Sequence, residues 1–173
     1  STSANGLPLG AESDERFLKV IMLDCGLCSA SLGLSLHQLR SVSEISMINS
    51  GGMAKQLVGQ MLRTIIPAYV PPSLYYWQRT KKGAEAEIDY VIQHENQVIP
   101  IEVKAGTSGT LKSLHQFVKD KKKSIAIRVN SDIPRLHPIQ VKDTFGDVIE
   151  YSLLSLPFYL LGQLHRLINT SAS

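Results

Sequence analysis

The stretch that most limits the fold is residues 86–104, AEIDYVIQHENQVIPIEVK. Two apolar, β-branched runs flank a short polar HEN, the pattern of two antiparallel strands joined by a tight turn. Three ionisable residues interrupt these runs: Asp89 in EIDYVI, and Glu102 and Lys104 in PIEVKA. An unpaired charge is costly to bury, so such residues in strands this apolar call for a partner or a task. Side-chain alternation puts Glu102 and Lys104 on one face and Ile101 and Val103 on the other.

A turn at Glu95 and Asn96 sets the register. Gln93 then faces Val98, Asp89 faces Glu102, and Glu87 faces Lys104. Directly opposed residues stand about 5 Å apart on the same face, so two carboxylates come side by side with an ammonium next to them. Like charges so placed repel each other. A divalent cation reverses the sign of that cost, and Mg²⁺ is commonly held by one or two carboxylates together with phosphate and water. Lys104 would then orient or deprotonate an attacking water, or neutralise charge on a phosphorane-like transition state. The plainer reading is an ion-paired patch in which Lys104 bridges Glu87 and Glu102 and no metal binds.

The surroundings of the hairpin point to an α/β domain. From residue 52 to 66, Ala54, Leu57, Val58, Met61, Leu62 and Ile65 recur at helical spacing, and Pro67 with Pro71 and Pro72 ends the helix. Residues 74–79 (LYYWQR) read as a strand before the hairpin, residues 110–121 as a helix after it, and residues 124–129 as a further strand. The central order is helix, three antiparallel strands, helix, strand. Upstream, residues 17–24 (FLKVIMLD) read as a buried strand leading into a short helix over residues 27–39. Downstream, a looser region holds Pro134 and Pro138, and a closing apolar helix begins near Ser155, with Ser155 as N-cap and Pro157 in the first turn. Residues 1–16 read as a polar linker from something longer, 17–168 as one domain, and 169–173 as a tail.

With 43% hydrophobic residues in 173, the chain can bury one real core. Neither a membrane-length apolar run nor a secretory signal is present, which points to a cytoplasmic setting. Two cysteines, Cys25 and Cys28, are too few and too close to staple the fold, in keeping with a reducing compartment. A net charge of +3 permits a polyanionic partner without demanding one.

Other features carry less. GTSGTLKS, beginning at Gly106, lies between a strand and a helix but lacks the Walker spacing, and it reads as a glycine-rich turn. Cys25 and Cys28 have no second pair to complete a zinc site and read as buried thiols. His37, His94, His115, His137 and His165 match no metal-ligand spacing. Lys81, Lys82 and the Lys119 to Lys123 run can meet phosphates, although a run ending a helix also simply complements its dipole. The apolar closing helix packs on the core or on another domain or subunit.

GGMAKQLVGQML, LYYWQR, AEIDYVI, IPIEVKAG and SLHQFVKD, in this order, resemble the C-terminal domain of a family of bacterial AAA-type P-loop ATPases, a domain of unknown function assigned to the PD-(D/E)XK nuclease-like superfamily. The resemblance runs from Val20 to near Asn130. It implies a PD-(D/E)XK nuclease-like core with additional helices, an N-terminal ATPase domain in the same chain, and nucleic acid as partner. It implies Asp89, Glu102, Lys104 and, more weakly, Gln116 as catalytic residues, with Asp89, Glu102 and Val103 toward a weakly held Mg²⁺. Where the family usually offers a Glu on the first helix, this chain has Lys55, a cation that would repel Mg²⁺ and pair with Asp89 or Glu102. The rival expectation is a catalytically inactive module for protein interaction or homo-oligomerisation.

Overall fold

The computed structural model describes residues 2–4, 6–11, 13–33, 50–71, 73–79, 85–106 and 109–172. Among these, eight strands form one mixed sheet: β1 Thr2–Ala4, β2 Ser13–Leu18, β3 Tyr75–Arg79, β4 Ala86–His94, β5 Gln97–Val103, β6 Ile125–Asn130, β7 Arg135–Lys142 and β8 Val148–Pro157. Their spatial order is β2-β1-β3-β4-β5-β6-β8-β7. The helices are α1 Cys25–Ser31, α2 Ser50–Thr64, α3 Lys112–Lys121 and α4 Leu164–Ala172, with a 3₁₀ segment, Phe158–Gln163, leading into α4.

The sheet is covered on both faces where it is most apolar. Ala54, Val58 and Leu62 of α2 and Leu164 and Ile168 of α4 pack on Tyr90, Ile99, Ile101, Val103 and Ile127. Leu114, Phe117 and Val118 of α3 pack on Trp77, Ile88, Val98, Ala126 and Leu153 from the other side. Strands buried on both faces read as continuous apolar runs, which is why β5 and β6 stand out in the sequence. The expected series of α2, three antiparallel strands, α3 and β6 is present, and β5, β6 and β8 run parallel.

Several expectations need correction. Residues 17–24 do not form a buried strand: β2 ends at Leu18, and Val20 and Leu23 are 78% and 73% exposed. β2 is the edge of the sheet, and beyond it the backbone is held by glutamines of α2 instead. Gln56 Oε1 accepts from Met22 N–H, Gln56 Nε2 donates to Val20 O, and Gln60 Oε1 accepts from Cys25 N–H. Among the described residues the following helix is α1, which begins at Cys25 and is capped by Asp24, whose carboxylate accepts from Leu27 N–H at 2.8 Å. The rest of that expected helix, with His37, lies outside the described residues.

The looser region is a hairpin, β7 with β8, and β8 inserts beside β6. Pro138 is tolerated because β7 is the other edge strand. Ser155 caps no helix. It lies buried within β8, where the apolar SLLSLP pairs with β6, and regular helix begins only at Leu164. β1 and the start of β2 fall within residues 1–16, and α4 runs to Ala172. No helix among the described residues is long and apolar enough to cross a membrane.

Candidate functional site

β4 and β5 meet at Glu95 and Asn96, with Glu95 in the left-handed region at φ 51°. The ladder follows the expected register from His94↔Gln97 to Tyr90↔Ile101, and its paired positions end there. The reason lies on the other side of β4. Tyr75 faces Val91 while Trp77 faces Ile88, so β4 carries one extra residue, and Asp89 and Tyr90 together oppose Tyr76. Such a bulge bends the strand and re-aims its side chains.

Both bulge residues reach α2. Tyr90 Oη donates to Lys55 O at 2.8 Å, and Asp89 Oδ1 lies 2.6 Å from Lys55 Nζ. Gly59 makes the approach feasible, since a Cβ there would come within 2.5 Å of Tyr90 Oη. Burial, with the Asp89 charge second, pushes the Tyr90 phenol far above its ordinary value, so it remains a donor. Asp89 Oδ2 accepts from Val103 N–H at 2.9 Å, taking the place of a ladder bond. Asp89 is 5% exposed and its hydrogen bonds go to protein.

Glu102 stands between Ile101 and Val103, which both face the α2 side, so alternation turns it away from α2. Its Oε1 accepts from Lys104 Nζ at 2.7 Å, while Oε2 is buried without a partner among the described residues. Burial raises Glu102 above the ordinary carboxylate value and the Asp89 charge adds to that, against the hydrogen bond and charge of Lys104 and the charge of Lys55. Gly109, at φ 151°, lies against the Lys104 stem: a Cβ there would approach Lys104 Cδ to 2.8 Å. The glycine-rich turn thus serves packing.

The expected flat pair of Asp89 and Glu102 is therefore not formed. Its place is taken by two carboxylates whose charges feel each other while each is held by its own lysine. Glu87 does not face Lys104 but pairs with Lys19 at 2.5 Å, and Lys19 Nζ stands 4.1 Å from the Tyr76 ring centre. Lys55 is drawn down by burial, yet the hydrogen bond and charge of Asp89, with Glu87 and Glu102 behind them, leave it above its ordinary value. Among the described residues, Asp89, Glu102 and Glu87 are thus each paired with a lysine, Lys55, Lys104 and Lys19 in turn.

The described residues hold no group of three or more His, Cys, Asp or Glu suited to a metal. Lys55 and Val103 N–H take the two oxygens of Asp89, leaving Glu102 Oε2 as the unpartnered acceptor.

Gln116 is directed along α3, donating to Asp120 Oδ1 at 2.8 Å, and Asp120 Oδ2 lies 3.4 Å from Arg79. Val103 contributes its amide to Asp89. The Lys119 to Lys123 run lies at the far end of the sheet, because α3 crosses back from the end of β5 to the start of the parallel β6. Lys119 is itself paired with Asp143 and Asp147. Lys81 and Lys82 fall outside the described residues. Sequence reasoning missed Tyr90 and Lys19. A buried tyrosine needs a partner for its hydroxyl, and that was the available signal for the former.

Fold and site define a mixed α/β domain with an ion-paired cluster where a bulged hairpin parts. More specifically, the model for a domain of unknown function (DUF4143) matches residues 50–144, more than half of the chain, and the chain belongs to that family. No curated protein and no solved structure matches it.

Proposed function

We propose that this chain is a PD-(D/E)XK nuclease-like module, the C-terminal part of a cytoplasmic AAA-type ATPase, that receives nucleic acid at the Asp89, Glu102 and Lys104 end of its sheet. The observation that supports it is the burial of two carboxylates, Asp89 at 5% and Glu102 at 8% exposure, with Lys104 on Glu102 and the second oxygen of Glu102 unpartnered among the described residues. Carboxylates kept this deep are expensive for stability alone, and well-packed apolar residues often replace such pairs without loss. In this reading Lys55 stands in for the metal, so Mg²⁺ is held weakly and only in exchange for it, and cleavage is slow or absent.

Calorimetric titration of Mn²⁺ is expected to give weak binding to the wild type and tighter binding to Lys55→Glu. Equal titrations would count against the reading. Incubation with single- and double-stranded DNA and RNA in Mg²⁺ or Mn²⁺ is expected to leave the strands largely intact, with salt-sensitive binding that Lys104→Ala weakens. Robust cutting that disappears in Lys104→Ala would establish an active nuclease instead.

A second reading, a silent docking module for the ATPase domain or for oligomerisation, draws on a different observation. Leu18, Val20, Leu23 and Leu27 are all at least 65% exposed within one short segment. Nucleic acid binding that survives Lys104→Ala unchanged, together with self-association lost on Leu23→Ser, would favour it.

A further inference from the structure

Away from the carboxylates, a half-open cavity of about 510 Å³ lies between the C-terminal part of α2 and the hairpin half of β4. Leu62, Ile65, Leu74, Tyr90 and Ile92 line it, and His165 of α4 lines it as an exposed residue. Cavities of this size accept small organic molecules, with an apolar wall supplying affinity and a few polar groups fixing orientation.

The hydrogen-bonding sense of His165 can be worked out from its neighbours. His165 Nδ1 lies 2.7 Å from His94 Nδ1, and His94 Nε2 lies 2.6 Å from Asn169 Oδ1. A carboxamide oxygen only accepts, so His94 Nε2 carries a hydrogen. With both rings uncharged, His94 Nδ1 is then the lone-pair nitrogen, and the hydrogen between the rings belongs to His165 Nδ1. His165 Nε2 is left as an acceptor. The ring centres are 5.0 Å apart with 18° between planes, so the rings meet edge to edge and nearly coplanar, as an N–H···N bond between them requires. Partial burial and then His94 push His165 below the ordinary imidazole value, in favour of its neutral form.

We propose that this cavity binds a small, uncharged, largely apolar molecule carrying a hydrogen-bond donor, such as a phenol or alcohol, with its apolar body against Leu62, Ile65 and Ile92 and its donor on His165 Nε2. The site shares Tyr90 with the carboxylate cluster but none of its charged groups, and its test does not depend on nuclease chemistry.

The probes are 1-naphthol, which has the donor, and 1-methoxynaphthalene, which lacks it, each titrated by fluorescence into the full chain near neutral pH. Saturable binding of 1-naphthol at least about tenfold tighter than that of 1-methoxynaphthalene is expected, because a site built to bond a hydroxyl rejects the analogue without one. His165→Phe keeps the ring and removes both nitrogens, and should make the two affinities equal. Leu74→Trp fills the cavity and should abolish both. Absence of saturable binding, equal affinities in the wild type, or binding undiminished in Leu74→Trp would overturn the proposal. The wild-type comparison stands even where a variant fails to fold.

Discussion

At its start α2 meets β4 through charge, with Lys55 gripped by Asp89 at its ammonium and by the Tyr90 hydroxyl at its carbonyl. About two turns further on, the same helix meets the same strand through Leu62 and Ile65, over an apolar cavity with a histidine pair beside it. The first end is ordered by hydrogen bonds and ion pairs that tolerate little displacement. The second is ordered by packing, which is non-directional and leaves space. One helix on one strand thus carries a rigid polar contact and a more accommodating apolar one, and the bulge at Asp89 and Tyr90 divides them.

The largest expected effect tests the apolar end. Leu62 is 2% exposed, and Leu62→Ala should cost about 3 kcal/mol in chemical denaturation, since the lost contacts are replaced by empty volume. A cost below about 1 kcal/mol would mean that the cavity wall contributes little.

Next comes Asp89→Ala, which orphans Val103 N–H and leaves Lys55 unpaired. A loss of about 2 kcal/mol is expected, and Asp89→Asn should recover part of it because an amide oxygen still accepts from Val103. Equal losses would assign the whole effect to the ion pair. Lys55→Met should cost less, about 1 kcal/mol, because the lysine side chain is 45% exposed and solvent screens the pair.

Smaller still is the pH dependence. Burial lowers His115, which shares a hydrogen bond with Tyr151, and burial and His94 lower His165. A base with a lowered folded pKa contributes stability that is present above its ordinary value of 6.5 and lost as pH falls through the folded value. Glu102 has the opposite sign. Its raised pKa leaves its contribution intact below the ordinary 4.5 and lost as pH rises through the folded value. Thermal unfolding from pH 8 downward should therefore show stability falling in the histidine range, less steeply in His115→Gln. Glu102→Gln is expected to change stability at pH 8 by no more than about 1 kcal/mol, because removing a penalised charge offsets the lost Lys104 pair. A large loss would give that pair a greater role than its half-satisfied geometry suggests.

Much of this was legible in the chain itself. The periodicity of α2, the β4 and β5 hairpin with its register down to Tyr90↔Ile101, and the presence of Asp89, Glu102 and Lys104 as charges among apolar strand residues all follow from local patterns. Alternation, helical spacing and turn chemistry act over a few residues, so a sequence carries them openly. Other outcomes were settled elsewhere. Whether FLKVIMLD is buried depends on β2 being the edge of the sheet and ending at Leu18, and whether SLLSLP becomes strand or helix depends on β6 standing free to pair with it. The extra residue in β4 shows only against β3, and it turns Asp89 from Glu102 toward Lys55. These are contacts between distant segments, and tertiary pairing overrides local preference wherever a whole strand of hydrogen bonds or a buried charge is at stake.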